Sequence, residues 1–393
     1  MALTAALCTA GCCYPFSLSY VGYPGITSDG SGGAIATYEI SKGGDESEVY
    51  VRRIGADGSA LWPNGDILIS TDQKPESEQL EIVTDGLGEV IVYWVGQVTK
   101  LDAEGNILWQ KEGKLSYSTI TDGSGGVLSP YSIYSEEEKA RSASVLRMDS
   151  DGNFPWGEKG VSMPFSGYMQ TLRLISDGAG GAIVVQRNTN YQIFAQRINS
   201  EGDTLWRQEG VFVCANADDF EVASDGSGGV IITWMHVVYS EGASPSGPDL
   251  YAQRVDAEGN ILWQPEGMPI CVGAPAGSLV PAMPTQPRIV SDGEGGAIII
   301  WKDHHRRPPE FCIYAQKIDS EGNIQWPKDG MQIWHLKTNQ SPWYKMVSDS
   351  SGGAVIVVWC DPAEIAGERG LLQALRLHST GNNIWGDNGV LVS

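Results

Sequence analysis

The stretch SDGEGGAIIIW at residues 291–301 and the stretch CIYAQKIDSEGNIQW at residues 312–326 decide the fold. In the first stretch, glycines permit the positive φ angles of a tight turn, and the apolar run that follows is typical of a strand buried on both faces. In the second stretch, successive side chains point to opposite faces of a predicted strand, and another turn follows at Ser320–Asn323. With extended segments at Pro287–Ser291 and Ile324–Trp326, this unit is predicted to hold four short strands joined by hairpins.

Both phrases recur along the chain at intervals of roughly 50 residues, a period typical of propeller blades. The Asp-Gly-x-Gly-Gly turn or a close variant occurs seven times, at Ser28–Gly33, Thr84–Glu89, Thr121–Gly126, Ser176–Gly181, Ser224–Gly229, Ser291–Gly296 and Ser348–Gly353. The turn that runs into tryptophan also occurs seven times, with its tryptophans at Trp62, Trp109, Trp156, Trp206, Trp263, Trp326 and Trp385. These units, which show no helical period, predict an all-β protein folded as a seven-bladed β-propeller with four antiparallel strands per blade.

The repeated tryptophans are predicted to pack between neighbouring blades. Each buried indole removes roughly 150–250 Å² of surface from water, so seven of them would contribute strongly to the packing of the blades. The alternative is a ring of indoles that stack on sugars, and that arrangement requires the side chains to face solvent.

The N-terminal residues differ in composition from the repeats. Met1–Gly11 is small and apolar and precedes Cys12, which resembles the end of a bacterial lipoprotein signal with Cys12 as the lipidated residue. A basic n-region and a full-length apolar segment are missing, so a truncated signal and a disordered end are the alternatives. We expect residues 1–13 to be separate from one propeller domain at 14–393, whose ends meet with Phe16–Tyr20 joining the last blade. The expected location is extracellular or in the bacterial cell envelope.

The charge balance limits the partners. The chain has 48 Asp and Glu against 26 Lys and Arg, a net charge of −22. This charge repels the phosphates of nucleic acids and anionic lipids, so neither is an expected partner. No run of 18 apolar residues occurs, so no transmembrane span is predicted and a lipid anchor is the alternative means of attachment.

Length variation is confined to one face of the predicted propeller. In a four-stranded blade, the first and third connections lie on one face, here called the turn face, and they are the repeated turns. The second connections and the links between blades lie on the opposite loop face. The variable segments on the loop face are Ser41–Glu48, Ser135–Arg141, Met235–Asp249, Val272–Gln286, Lys302–Phe311 and Asp361–Arg369. Variable loops on a rigid frame commonly carry binding residues, so function is predicted to reside on the loop face.

One variable loop contains the most distinctive cluster of side chains. Residues 302–307 read KDHHRR, and histidines beside arginines can bind an anion or a metal while a neighbouring carboxylate orients a histidine. The alternative is a solvated loop. The candidate ligand-binding residues are Asp303, His304, His305, Arg306 and Arg307, together with His236.

A weaker pattern raises the possibility of calcium. Asp149 and Asp151 in DSDGN alternate as the first ligands of a calcium loop do, but the closing glutamate is missing, and a structural turn explains the same residues. The seven cysteines have no metal-binding spacing, so zinc is not expected, and no other cofactor is predicted.

The complete repeat, best represented by YAQRVDAEGNILW at Tyr251–Trp263, resembles the propeller repeats of many exported bacterial proteins. The turn before tryptophan also resembles the Asp-box of sialidases, although four steps instead of three separate glycine from tryptophan. The first resemblance implies a fold without one activity. We expect a noncatalytic secreted or envelope scaffold that binds a protein or glycan through the loop face. The alternative is a glycan-active hydrolase or lyase with its site at the mouth of the central channel.

Overall fold

A computed structural model describes residues 25–391 of the chain. The positions inside this range that it does not describe are 30, 32, 44–45, 56, 58, 64, 72–79, 85–87, 95, 114, 117, 136–139, 166–168, 237–248, 273–283, 304–310, 337–340, 350, 361–370 and 387–388. The described residues form 28 strands. Among these residues, no helix is long and apolar enough to cross a membrane.

Each repeat forms one four-stranded sheet. Blade 1 contains β1 (Ile26–Ser28), β2 (Ala34–Gly43), β3 (Glu46–Ile54) and β4 (Ile67–Ser70). Blade 2 contains β5 (Glu81–Thr84), β6 (Val90–Trp94), β7 (Gln97–Leu101) and β8 (Ile107–Glu112). Blade 3 contains β9 (Ile120–Thr121), β10 (Val127–Ser135), β11 (Ala140–Met148) and β12 (Val161–Ser162). Blade 4 contains β13 (Met169–Ser176), β14 (Ala182–Asn188), β15 (Ile193–Ile198) and β16 (Val211–Cys214).

The remaining three blades follow the same order. Blade 5 contains β17 (Ala217–Ser224), β18 (Val230–His236), β19 (Asp249–Val255) and β20 (Met268–Cys271). Blade 6 contains β21 (Thr285–Ser291), β22 (Ala297–Asp303), β23 (Phe311–Ile318) and β24 (Met331–Leu336). Blade 7 contains β25 (Trp343–Ser348), β26 (Ala354–Cys360), β27 (Leu371–Leu377) and β28 (Val390–Leu391). In every sheet the four strands are neighbours in chain order and antiparallel, so the predicted seven-bladed β-propeller is confirmed.

Alternation along the strands builds the contacts between blades. In blade 6, Ile299 and Trp301 pack against blade 5, whereas Ile298 and Ile300 pack against blade 7. Six hydrophobic clusters of this kind join blades 1 to 7 in order. The second strand of a blade is therefore apolar on both faces because each face meets a neighbouring blade.

The Asp-Gly turn fixes the first hairpin of each blade. In blade 5, one carboxylate oxygen of Asp225 accepts the N–H groups of Ser227 and Gly229, each at 2.8 Å. The other oxygen accepts two hydrogen bonds from Arg254 on the third strand, at 2.9 and 3.0 Å. The same guanidinium donates to the carbonyl of Ser320 in the next blade at 3.2 Å, so one side chain links a turn, a strand and a neighbour.

The predicted structural role of the repeated tryptophans is confirmed at most blades. Trp206 is 8% exposed, and its indole N–H donates to the carbonyl of Ala257 in the next blade at 2.9 Å. Its ring lies against Gly259, where an added Cβ would be 2.8 Å from the indole. Trp62 and Trp263 make the equivalent contacts at other blades. Trp385 of the last blade differs, with 37% exposure.

Two predicted boundaries were wrong. Ile324–Trp326 is not the fourth strand, because only an isolated bridge pairs Ile324 with Ile318 and the ladder resumes at Met331. The tryptophan turns towards the next blade, and the chain needs a second turn before it can pair again. The predicted loop Ser41–Glu48 belongs mainly to a hairpin, since the pairing of β2 and β3 extends to Gly43 and Glu46.

The contact between blade 7 and blade 1 is unlike the other six. Blade 7 leaves Val347 60% and Trp359 40% exposed on the face that points away from blade 6. The opposing face of blade 1 carries the stacked rings of Tyr38 and Tyr50, 5.4 Å apart. Within the described ranges, no hydrophobic cluster joins these two blades. Phe16–Tyr20, predicted to join the last blade, lies outside the described residues, as do Cys12 and the rest of residues 1–13.

Candidate functional site

Two of the predicted ligand-binding residues, Asp303 and His236, are described by the structure, and both lie at the loop-face end of a second strand. Asp303 ends β22 and His236 ends β18, which are equivalent positions in blades 6 and 5. Asp303 is fully buried, and His236 is half-buried with its ring 5.5 Å from that of Tyr251. Residues 304–307, the histidines and arginines of the predicted cluster, lie outside the described residues, so this cluster stays a prediction.

The predicted calcium ligands belong to a turn on the other face. One oxygen of Asp149 accepts the N–H groups of Asp151 and Asn153, at 3.0 and 2.8 Å. Asp256 makes the same pair of bonds in a turn of blade 5. Among the described residues, no group of three His, Cys, Asp or Glu side chains is placed to hold a metal ion. Calcium at Asp149 and Asp151 stays a prediction.

A ring of charged side chains lines the central channel. The position three residues before the serine or threonine of each Asp-Gly turn lies on the first strand of its blade or just before it. We call these seven positions the channel ring; they are occupied by Gly25, Glu81, Ser118, Arg173, Glu221, Arg288 and Lys345. Five of the seven carry a charge, which is unusual for equivalent positions at the centre of a fold.

Contacts between blades show that the channel-ring side chains converge. Glu221 in blade 5 accepts hydrogen bonds from Arg173 in blade 4 at 3.3 and 3.4 Å, and from Arg288 in blade 6 at 3.3 Å. Burial raises the pKa of Glu81 in blade 2, and the positive charge of Lys345 in blade 7 partly offsets that rise. The charge of a side chain in blade 7 therefore acts on a carboxylate in blade 2.

Register shifts interrupt three first strands near their loop-face ends. The ladder of β13 shifts between Met169 and Thr171, that of β17 between Ala217 and Phe220, and that of β21 between Thr285 and Arg288. Such bulges bend a strand and redirect its side chains. In β17 the bulge contains Asp219, whose pKa is raised by burial and by the nearby charge of Glu221.

An aromatic corner stands beside this bulged region, where β25 begins. The ammonium of Lys302 lies 5.9 Å from the ring centre of Trp343 and 5.6 Å from that of Tyr344, and it donates to Ser341 at 2.7 Å. Arg288 lies over the Tyr344 ring at 6.0 Å. Tyr344 is buried and its hydroxyl donates to the carbonyl of Gln286, whereas Trp343 is 67% exposed. We call Arg288, Lys302, Trp343 and Tyr344 the mouth cluster.

The mouth cluster has the composition of a recognition site. Cations against aromatic faces stabilise the rings by about 0.5–2 kcal/mol each and hold them in place. An indole held on one side and open on the other can stack on a ligand ring without an additional ordering cost. Lys302 is buried beneath this surface, so it acts as a support, and Trp343 is the surface that a ligand would meet.

A second polar cleft lies on the turn face between blades 6 and 7. It encloses about 250 Å³ and is lined in part by Asp292, Lys317 and Ser379. Lys317 stands where five of the other blades have arginine and blade 2 has Lys100, which donates to the carbonyl of Gly125 in blade 3 at 2.9 Å. Lys317 instead pairs with Asp292 of its own blade at 3.2 Å. The buried indole N–H of Trp326 has no hydrogen-bond partner among the residues that the structure describes. The cleft therefore lies where the side chain of Lys317 does not bridge blades 6 and 7.

The sequence analysis did not single out the channel ring or Trp343, and its prediction that function resides on the loop face stays a prediction. The ring carries a detectable signal, since its members stand at a fixed distance before a conserved turn of the repeat. Trp343 belongs to neither repeated phrase, and a tryptophan outside the repeat at the start of a first strand could have been singled out. Its exposure depends on contacts between blades, which no pattern within one repeat encodes.

Comparisons with known proteins give a fold and no family. No family model matches the sequence, and no curated protein matches it. The structure is similar to a lectin, BP39L from Burkholderia pseudomallei, at 12% identity and a TM-score of 0.49 over 96% of this chain and 100% of that chain. It is also similar to the WD40 domain of SCAP from fission yeast, at 9% identity and a TM-score of 0.42 over 92% of this chain and 85% of that one. These similarities assign neither ligand nor activity to this chain, and the fold assignment rests on its own seven sheets.

Proposed function

We propose that this propeller is a noncatalytic binding scaffold, secreted or attached to the cell envelope, that recognises a protein or a glycan on its loop face. The observation that carries the proposal is Trp343, an indole 67% exposed at the mouth of the channel and supported by the ammonium of Lys302. An exposed aromatic ring fixed by its neighbours is typical of binding surfaces. The expected location rests on the composition of residues 1–13 alone.

The hydrogen bonds that Glu221 accepts from two arginines favour a binding role over a catalytic one. Both of its carboxylate oxygens accept hydrogen bonds from arginines, so a role as nucleophile or base would compete with these three charge-assisted contacts. A carboxylate held in this way organises the positions of Arg173 and Arg288. The channel ring then supplies charged groups of fixed geometry to a ligand.

The test is a glycan array and a pull-down with the purified chain and with two tryptophan variants. Trp343→Ala should weaken binding of any ligand found by about tenfold or more, because the stacking surface is lost. Trp385→Ala is the matched control, since it removes a half-exposed indole from the other face of the propeller. Equal loss in both variants, or full binding by Trp343→Ala, would contradict the proposal.

One observation favours the alternative, a hydrolase or lyase acting on glycans. Asp219 has a raised pKa and lies two residues from Glu221 on the same strand, and paired carboxylates with different proton affinities can serve as acid and base. Release of sugar from a glycan panel by the wild-type chain, lost in Asp219→Asn while binding is retained, would favour the enzyme. Binding without release, unchanged in Asp219→Asn, would favour the scaffold.

A further inference from the structure

Four of the contacts between blades share one pattern of hydrogen bonds on the turn face. In each, one backbone carbonyl of the next blade accepts from an arginine and from a repeated tryptophan. At the contact between blades 5 and 6, the carbonyl of Ser320 accepts from Arg254 at 3.2 Å and from the indole of Trp263 at 3.1 Å. The same pair of donors meets at the carbonyls of Ala103, Ser200 and Ala257.

The contact between blades 6 and 7 lacks the guanidinium. Lys317 replaces the arginine, and its ammonium pairs with Asp292. Within the described ranges, neither Lys317 nor Trp326 donates to the carbonyl of Ser379, the equivalent residue of blade 7. Trp326 is only 8% exposed, and its unpartnered indole N–H lies against the turn that contains Ser379, since a Cβ on Gly381 would be 3.1 Å from the indole nitrogen.

A lysine at this position does not by itself leave a large cavity. In blade 2, Lys100 pairs with Glu89 at 2.9 Å, reaches the carbonyl of Gly125 in blade 3, and leaves a cavity of about 10 Å³. Blade 6 has Gly296 in place of Glu89, and the cleft beside Lys317 encloses about 250 Å³. The contact between blades 6 and 7 therefore has room for a ligand.

The charges that line the cleft favour a cation. The carboxylates of Asp292, Glu294 and Asp319 face the single ammonium of Lys317, in a chain whose net charge is −22. The third strands of the two adjacent blades add no net charge, because their cations are paired: Arg254 with Asp225, and Arg376 with Asp349.

The groups in the cleft suit a planar guanidinium better than an ammonium. Nε and Nη2 of Arg254 bind one oxygen of Asp225 at 3.0 and 2.9 Å, while Nη1 reaches the carbonyl of the next blade. At another contact, the guanidinium of Arg147 also lies 6.0 Å from the ring centre of Trp156. A guanidinium has fixed donors that can span a carboxylate and a carbonyl in this way, whereas an ammonium acts as a point charge.

We infer that the cleft between blades 6 and 7 binds a small molecule that ends in a guanidinium group. The bound guanidinium bridges Asp292 and the carbonyl of Ser379 beside the indole of Trp326, so it takes the place of the arginine that blade 6 lacks. Once that carbonyl is drawn to the position seen at the four other contacts, the indole N–H of Trp326 donates to it as well. This site is separate from the proposed binding surface on the loop face.

The test compares butylguanidinium with butylammonium, two cations that share one carbon chain and differ in the head group. Each is titrated at millimolar concentrations into the full chain with isotope-labelled tryptophan, and the indole N–H signals are followed by NMR. Butylguanidinium should shift the signal of Trp326, assigned through Trp326→Phe, and should bind at least about fivefold more tightly than butylammonium. The signal of Trp263, whose carbonyl partner already has its arginine, should not move.

Two variants make the test specific to the cleft. Lys317→Arg should abolish binding of butylguanidinium, because its own guanidinium fills the cleft, and should shift the Trp326 signal without any ligand. Lys328→Arg changes an exposed lysine of the same blade and should bind as the wild type does.

Three results would overturn the inference. They are equal affinity for the two cations, undiminished binding by Lys317→Arg, and a shift of the Trp326 signal by calcium chloride but not by butylguanidinium, which would indicate a metal site. Binding of an acetylated and amidated arginine peptide without binding of butylguanidinium would exclude a small-molecule ligand. None of these results depends on Trp343, so the proposed function stands or fails separately.

Discussion

At the scale of single residues, the contact between Gly259 and Trp206 explains why the second turn keeps its glycine. The backbone there has φ of +85°, and a Cβ would lie 2.8 Å from the indole. Gly178 has φ of +75° with no atom within 4 Å of the same position. Substitutions at these two glycines therefore distinguish the cost of backbone strain from the cost of displacing the indole.

Gly259→Ala should lower the free energy of unfolding by about 2–4 kcal/mol, the sum of a backbone cost and the displacement of Trp206. Gly178→Ala should cost only about 1 kcal/mol, because strain acts alone. Urea unfolding followed by tryptophan fluorescence measures both. Equal destabilisation of the two variants would show that the indole contact contributes nothing.

Lys317 illustrates how one substitution opens a blade contact. Arg254 reaches Ser320 in the next blade, whereas Lys317 ends at Asp292 and leaves a cleft beside Ser379. Lys317→Arg should stabilise the protein by about 1 kcal/mol by adding a charge-assisted bond to blade 7. The reverse change, Arg254→Lys, should destabilise it by a similar amount. No change in melting temperature for either variant would contradict this account.

At the scale of secondary-structure elements, the Asp-Gly turn makes stability depend on pH. Burial alone would raise the pKa of Asp349, but hydrogen bonds from the N–H groups of Ser351 and Gly353 and from the side chains of Ser351 and Arg376 hold it at about 2. The ordinary value is 3.8, so the carboxylate stabilises the folded state above that pH. This contribution is lost as the pH falls through about 2.

Asp349→Asn should therefore cost about 1 kcal/mol at pH 6, after allowing for solvent screening, and much less at pH 2.5. Urea unfolding of the variant and the wild type at both pH values provides the test. Glu158→Gln, which changes an exposed carboxylate outside these turns, should show no such difference. A cost for Asp349→Asn that stays constant with pH would refute the electrostatic explanation.

The same elements show what could be predicted from sequence. Glycine turns and apolar runs located the first three strands of blade 6, because those features are local to a hairpin. The fourth strand was misplaced, since Trp326 leaves its own sheet to contact Gly381 of the next blade. That contact lies between repeats, and a pattern within one repeat contains no signal for it.

At the scale of the whole molecule, radial arrangement creates the candidate site. Glu221, Arg173 and Arg288 stand on different blades and meet only because their first strands surround one channel. Sequence analysis predicted the number of blades correctly, yet the side chains that meet at the channel depend on how the blades are placed around it. The exposed side chains of blade 7, including Trp343, stand on its face away from blade 6, so their exposure also depends on the arrangement of the blades.

A crystal structure of the chain bound to a ligand found by the glycan array or the pull-down tests the central claim most directly. We expect the ligand to lie over the Trp343 indole at the channel mouth. A ligand bound on the turn face, for example in the cleft beside Lys317, or one that leaves the Trp343 indole uncovered, would contradict the assignment of function to the channel mouth.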